Sequence, residues 1–223
     1  MQFTMHQSDA FKKQKKSCDA YLALNDPLTP AGVETSVYLI YRVQGNDTTL
    51  STMFSQKYIA EQHTGFGGID AAVRGNSGTQ VGKGKVKYEA ITKKAKFQGG
   101  GHAEEMFIRS FDKITQDLAQ NGSFTVTRVE LFVSKIPCCK RDKIGSSAFE
   151  LNGVIYPEGC GVKLNKFIKS KPDIEWAICY EKDYAGTDLD GETRNQMIIL
   201  DHEANAKVYR YLPTGLVQHI ALN

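Results

Sequence analysis

The chain has 223 residues, enough for one well-buried domain with insertions. Hydrophobic residues make up 41% and charged residues 24%, ordinary for a globular domain, which excludes disordered and fibrous classes. A net charge of +3 is too small to argue alone for nucleic acid. Five cysteines, an odd number, exclude a fully paired disulfide framework and favour a reducing compartment or a metal role.

From the N-terminus, "SDAFKKQKKSCDAYLAL", 8–24, has Phe11, Cys18, Tyr21 and Leu22 at helical spacing behind Ser8, a good N-cap. No apolar run here or later reaches membrane-span length, and the N-terminus lacks the apolar core of a signal peptide. Pro27 and Pro30 end that helix. "SVYLIYRV", 36–43, predicts a buried strand. The glycine-rich stretch 62–84 reads as a long insertion or mobile loop, followed by a second strand over 85–91. Gly99, Gly100 and Gly101 then precede a helix opening at His102, with Ala103, Met106, Phe107, Phe111, Ile114 and Leu118 on its apolar face. "SFTVTRVELFVSK", 123–135, is the strongest strand and runs into "IPCC". The stretch 139–159 reads as a loop with a short hairpin around Asn152-Gly153, and 160–170 as a helix facing inward through Val162, Leu164, Phe167 and Ile168. "DIEWAICYEKDY" and "AKVYRYL" predict strands. "MIILDH", 197–202, is assigned as a strand, with a helix as the alternative. The economical description is one α/β domain with an N-terminal helix and linker (1–30), a core (36–184) and a C-terminal extension (185–223). Lysines cluster in "FKKQKK", in 83–96, and at Lys163, Lys166, Lys169 and Lys171. Such clusters could track phosphates, or be solvated faces.

Three of the junctions between elements carry a metal-ligand type. His102 opens one helix, Cys138 follows a strong strand, and Cys160 opens another helix. One histidine and two cysteines form a zinc set that leaves a fourth position open, as a catalytic site requires. Helix N-termini favour thiolates. Glu104 stands within a turn of His102, where a proton carrier belongs. Cys139, adjacent to Cys138, is the competing ligand, although neighbouring side chains on extended backbone point apart. Cys18 and Cys179 read as small core residues.

His102-Ala103-Glu104, followed by Pro137-Cys138 and Cys160, resembles the zinc deaminase signature, His-x-Glu then Pro-Cys-x-x-Cys. "VELFVSKIPC" resembles the strand and Ser-x-x-Pro-Cys turn of AID/APOBEC-type polynucleotide cytidine deaminases, with Ser134 at the serine. "CGVKLNKFIKSKPDIEWAICYEKDY" resembles the helix–strand unit that follows their second cysteine. The likeness covers about 36–184. It departs at one point: 21 residues separate Cys138 from Cys160, which we read as an inserted loop.

The resemblance implies a three-layer cytidine-deaminase-like fold, with a central mixed sheet of about five strands flanked by helices. It implies Zn²⁺ on His102, Cys138 and Cys160, with Glu104 moving the protons of a hydrolytic attack at C4 of cytosine. Backbone near Ala103 and Pro137 would place the base, and Ser134, Tyr180, Tyr184, Phe66 and His63 are further candidates for substrate contact. The expected substrate is single-stranded DNA or RNA, DNA favoured, met in the cytoplasm, nucleoid or nucleus by a monomer. A delivered toxin domain with an immunity or inhibitor protein belongs to the same expectation. Deamination of a free nucleoside, a nucleotide or tRNA adenosine is the alternative, and an inactive zinc-containing binding module is the third reading.

Overall fold

A computed structural model of the protein describes residues 1–25, 37–45, 54–60, 71–73, 102–120, 125–139, 148–183 and 191–220. Its centre is a mixed sheet built around β1 (Val37–Gly45), β4 (Val126–Lys135), β7 (Glu175–Lys182) and β8 (Ala206–Tyr211). β2 (Phe54–Ala60) adds antiparallel to β1. Three-residue strands β3 (Ala71–Val73) and β9 (Val217–His219) close the edges, giving the order β3-β2-β1-β4-β7-β8-β9. Five strands of six residues or more match the expected number, but β2 was not among the strands read from the sequence, nor were the two short edge strands. β4, β7 and β8 run parallel to one another, and β1 runs antiparallel to β4.

The period-two alternation of these strands feeds a core on each face. Leu39, Tyr41, Leu131, Val133, Trp176, Ile178 and Val208 face one side. There they meet α2 (Ala103–Gln120), α3 (Cys160–Lys169) and α4 (Glu192–Asp201). Tyr38, Ile40, Phe132, Ala177 and Cys179 face the other, under α1 (Asp9–Asn25) and the 3₁₀ turn Met5–Gln7. The helices therefore lie on both faces of a mixed α/β sheet. Ser8 caps α1 as expected, its hydroxyl accepting from the Phe11 N–H at 3.2 Å.

Glu130, on β4, has no solvent exposure and ties the N-terminal segment down. Its carboxylate accepts from the Thr4 and Met5 N–H groups (2.9 and 2.6 Å), the Thr4 hydroxyl, and the guanidiniums of Arg42 and Arg128. Saturated pairing of this kind is what a buried charge requires.

"MIILDH" is not a strand. It lies in α4 and its C-cap, where Thr193, Met197, Leu200 and Asp201 are buried at helical spacing while Ile198 and Ile199 stay exposed. The Ile-Ile-Leu run has strand propensity, but burial every three to four residues decides the element. The strand expected over 85–91 lies outside the described residues. Of the 62–84 stretch, only β3 is described, so part of that segment is strand rather than loop. Asn152 and Gly153 have φ of 51° and 77°, the two left-handed residues of a type I′ turn joining β5 (Phe149–Leu151) to β6 (Val154–Tyr156). Among the described residues no helix is long and apolar enough to cross a membrane.

Candidate metal centre

Two helix N-termini and one strand end converge. The aromatic rings of Phe107 and Phe111 on α2, Phe167 on α3 and Trp176 on β7 pack edge-on and tilted, with neighbouring centroids 5.3–6.3 Å apart. This cluster seats α2 and α3 side by side on the sheet. His102 precedes α2, and its N–H donates to Glu105 Oε2 at 3.2 Å, the return half of a capping box. β4 delivers Ile136-Pro137-Cys138 to the start of α3, with the Ile136 N–H bound to the Lys182 carbonyl at 2.8 Å.

Cys138 then caps α3. Its carbonyl accepts from the Gly161 N–H (3.1 Å), and its sulfur from the Cys160 N–H (3.4 Å). Orphan N–H groups of a helix start thus point at a sulfur that the helix dipole favours as thiolate. The donor atoms of His102, Cys138 and Cys160 all lie within 4.8 Å of one another, and all three residues are buried. His102 Nδ1 is 3.5 Å from Cys138 Sγ. A tetrahedral ion with zinc-like bonds of ~2.05 Å to nitrogen and ~2.3 Å to sulfur separates the two donors by about 3.6 Å. The group could hold a metal ion.

Glu104 is buried beside it, and its Oε2 has no hydrogen-bond partner among the described residues. A buried acceptor without a donor fits a position that receives a ligand. Burial pushes its carboxyl up to about 7, against the opposing pull of His102. Burial alone would lower His102, but hydrogen bonding to Cys138 and the charge there raise it to about 9. Cys138 is held well below the usual thiol range, chiefly by hydrogen bonding with Cys160 and then with His102. Cys160 is pushed well above that range by burial and by its neighbour Cys138.

No protein-family model matches the chain, and no curated protein matches it.

Among the other expected contact residues, Ala103 and Pro137 are buried beside the ligands they adjoin. Ser134 is not brought to the centre. It shares the α1-facing side of β4 with Phe132, and its hydroxyl accepts from the Tyr38 N–H at 3.0 Å. Tyr180 lines a separate cavity toward α4 and β9. Tyr184, Phe66, His63 and the three glycines before His102 lie outside the described residues. Cys139 is buried and is not one of the three clustered donors, and none of the five cysteines forms a disulfide.

The third lysine cluster is not a free basic stripe. Lys163 is fully buried and pairs with Glu105; the Lys166 ammonium donates to the Ile155 carbonyl. Lys169 and Lys171 pair with Glu203 and Asp112. Glu105 thereby binds the start of α2 with one oxygen and α3 with the other, a role our sequence reading missed. Glu105 three residues after an N-cap position was a usable signal; its partner 58 residues away carried none. The β5–β6 hairpin docks here too: Arg109 lies 3.9 Å from the Phe149 ring, which stacks on Tyr156.

Two expected results arise from this packing. A Cβ on Gly161 would stand 3.1 Å from Gln196 Cβ and 3.3 Å from Met197 Cε, so both side chains must give by a few tenths of an ångström, the Gln196 Cβ with little freedom beside the α4 backbone. Overpacking costs about 1–3 kcal/mol while alanine returns up to ~1 kcal/mol of helix propensity. Gly161→Ala should therefore lose about 1 kcal/mol in denaturant unfolding; a gain in stability would contradict this contact.

The second concerns pH. In the metal-free protein His102 binds a proton more tightly than in the unfolded chain, so its contribution is full below 6.5 and lost as pH rises through about 9. Glu104 is protonated when folded and ionised when unfolded between 4.5 and about 7, so stability again falls with rising pH. The Cys138 thiol, held well below its unfolded range, works the other way and gains stability as pH rises toward about 9, so above pH 7 it offsets His102 and melting of the metal-free protein should change little. Metal binding should make stability rise with pH and release about two protons, one each from His102 and Cys160, read by calorimetry in buffers of different ionisation enthalpy. Proton uptake on binding would refute the ligand set.

Proposed function

We propose that the protein is a zinc-dependent hydrolytic deaminase acting on cytosine in single-stranded nucleic acid, with a cytidine-deaminase-like fold. The reading is carried by one observation: a buried His-Cys-Cys donor set with its own buried carboxylate, Glu104, that has one oxygen unpartnered among the described residues. A purely structural site takes four protein ligands and gains nothing from such an acid. A hydrolytic site needs three ligands, an open position and a proton carrier.

His102, Cys138 and Cys160 would hold zinc, which when bound supplies Lewis-acid activation of water. Glu104, with a carboxyl near 7, can take a proton and return it at neutral pH. Its two deliveries would go to the pyrimidine ring nitrogen and to the departing amine, so that water adds at C4 and ammonia leaves. Burial of all four residues excludes bulk water and strengthens each charge interaction.

The test is mass spectrometry of a mixture of single-stranded DNA, duplex DNA, RNA, tRNA and free nucleosides, with zinc-loaded and chelator-treated protein. Uracil formed in one polymer by the loaded protein alone upholds the reading. Deamination confined to free nucleosides, or to adenosine in tRNA, moves the substrate. No deamination in any component makes a binding module the better reading.

A further inference from the structure

A cavity of about 250 Å³ opens between β7, β8, β9 and α4, its wall part apolar (Ile198, Leu212, Ile220) and part polar (Arg194, Arg210, His219). Asp183, the residue after β7, holds two guanidiniums together. Its Oδ2 accepts from Arg194 at 3.0 Å and from Arg210 at 2.8 Å. Both guanidiniums remain partly solvent-accessible, at 60% and 40%. His219 is paired with Asp201 at 2.8 Å, and Tyr180 forms a buried wall. Paired guanidiniums present planar donor forks suited to phosphate.

The cavity's place matters as much as its lining. Arg210 pairs in register with Tyr180 near the carboxyl ends of β8 and β7, and Cys138 lies just beyond the carboxyl end of the parallel neighbour β4. In open α/β sheets that edge is where ligands bind. β4 and β8 are two strand spacings, about 10 Å, apart, and the metal centre and the cavity both lie toward that edge.

Resting on the deaminase reading, we propose that this cavity binds a phosphate group of the substrate whose base occupies the metal centre. A neutral nucleoside has nothing to place there. The substrate is therefore phosphorylated, as a nucleotide or a polynucleotide strand.

The experiment is fluorescence anisotropy on the full zinc-loaded chain with a labelled single-stranded oligodeoxycytidine nonamer and its neutral methylphosphonate analogue. Arg194→Gln/Arg210→Gln should bind the nonamer 10- to 100-fold more weakly, with unchanged zinc content and at a temperature where the variant is shown to be folded. The slope of log affinity against log salt should fall by about 0.7, the signature of one lost phosphate contact on a single strand. The neutral analogue should bind wild type and variant alike. Arg194→Lys/Arg210→Lys keeps the charge and loses the forks, and should fall between the two. Competition by cytidine monophosphate but not cytidine would mark a terminal phosphate; failure of both to compete would mark a diester, and either supports the site. A double variant that binds the nonamer like wild type, while wild type deaminates it, overturns the cavity and leaves the reaction. Phosphate-dependent binding lost in the variant, from a wild type that deaminates nothing, keeps the phosphate site and removes the reaction. Equal binding of both probes by wild type also overturns the cavity.

Discussion

On the proposed deaminase reading, replacing Glu104 with glutamine is expected to remove turnover and leave the fold and zinc binding in place. Glutamine matches glutamate in shape, so the packing around this buried position survives, but it carries no transferable proton. General acid–base groups contribute about 10²–10⁴-fold, so kcat should fall by at least that range. Stability of the metal-free variant at pH 8 should equal or exceed that of wild type, because the substitution removes a carboxyl that burial pushes up to about 7. The decisive comparison is kcat, zinc content and melting temperature on one preparation. Activity above a tenth of wild type would show that another group moves the protons. Loss of zinc would make Glu104 a structural residue instead.

The second large effect is expected at Lys163. Its side chain has no exposure and that of Glu105 only 4%, so Lys163→Met leaves a carboxylate buried without its counter-charge. Breaking such a pair from one side costs about 3–5 kcal/mol, whereas removing both charges together is often near neutral. Lys163→Met/Glu105→Gln should thus recover most of the loss in denaturant unfolding, since the amide oxygen can still accept from the His102 N–H. Zinc affinity distinguishes alignment from bulk stability. Glu105 joins the helix start after His102 to the helix opened by Cys160, and groups that orient metal ligands are worth about 10–100-fold in affinity. Lys163→Met should therefore weaken zinc in a chelator competition even under conditions where the protein is fully folded. A single variant costing under about 1 kcal/mol would mean that the pair is not a buried ion pair.

The sequence carried most of this site for local reasons. His102, Cys138 and Cys160 each stand at a junction between elements, and junctions announce themselves through periodicity, glycine and proline. The choice of Cys160 over its rival Cys139 rested on the awkward geometry of adjacent ligands and on the family likeness of the helix that continues from Cys160, and the three clustered donors include Cys160. The sheet was legible where strands alternate. What stayed hidden depends on partners distant in the chain. Lys163 looked like one lysine among four until Glu105 covered it. Ser134 sat in a matching motif, but strand alternation turns it toward α1. The isoleucines of α4 mimic a strand because their burial, not their type, sets the element. The three-residue strand β9 is too short for any pattern to register.

The Glu130 network also constrains the order in which the chain can assemble. Thr4 and Met5 meet Glu130 across 126 and 125 residues, and Met1 accepts from the Tyr209 hydroxyl across 208. Contacts that close loops of that length carry a large entropic cost before they return anything, so they form late. During synthesis, at about 5–20 residues per second, the first eight residues and α1 must wait several seconds for β4 before their anchor exists. This segment, made before β4, thus docks only after it, and until then the apolar face that Phe3, Met5 and Phe11 later cover has no lid.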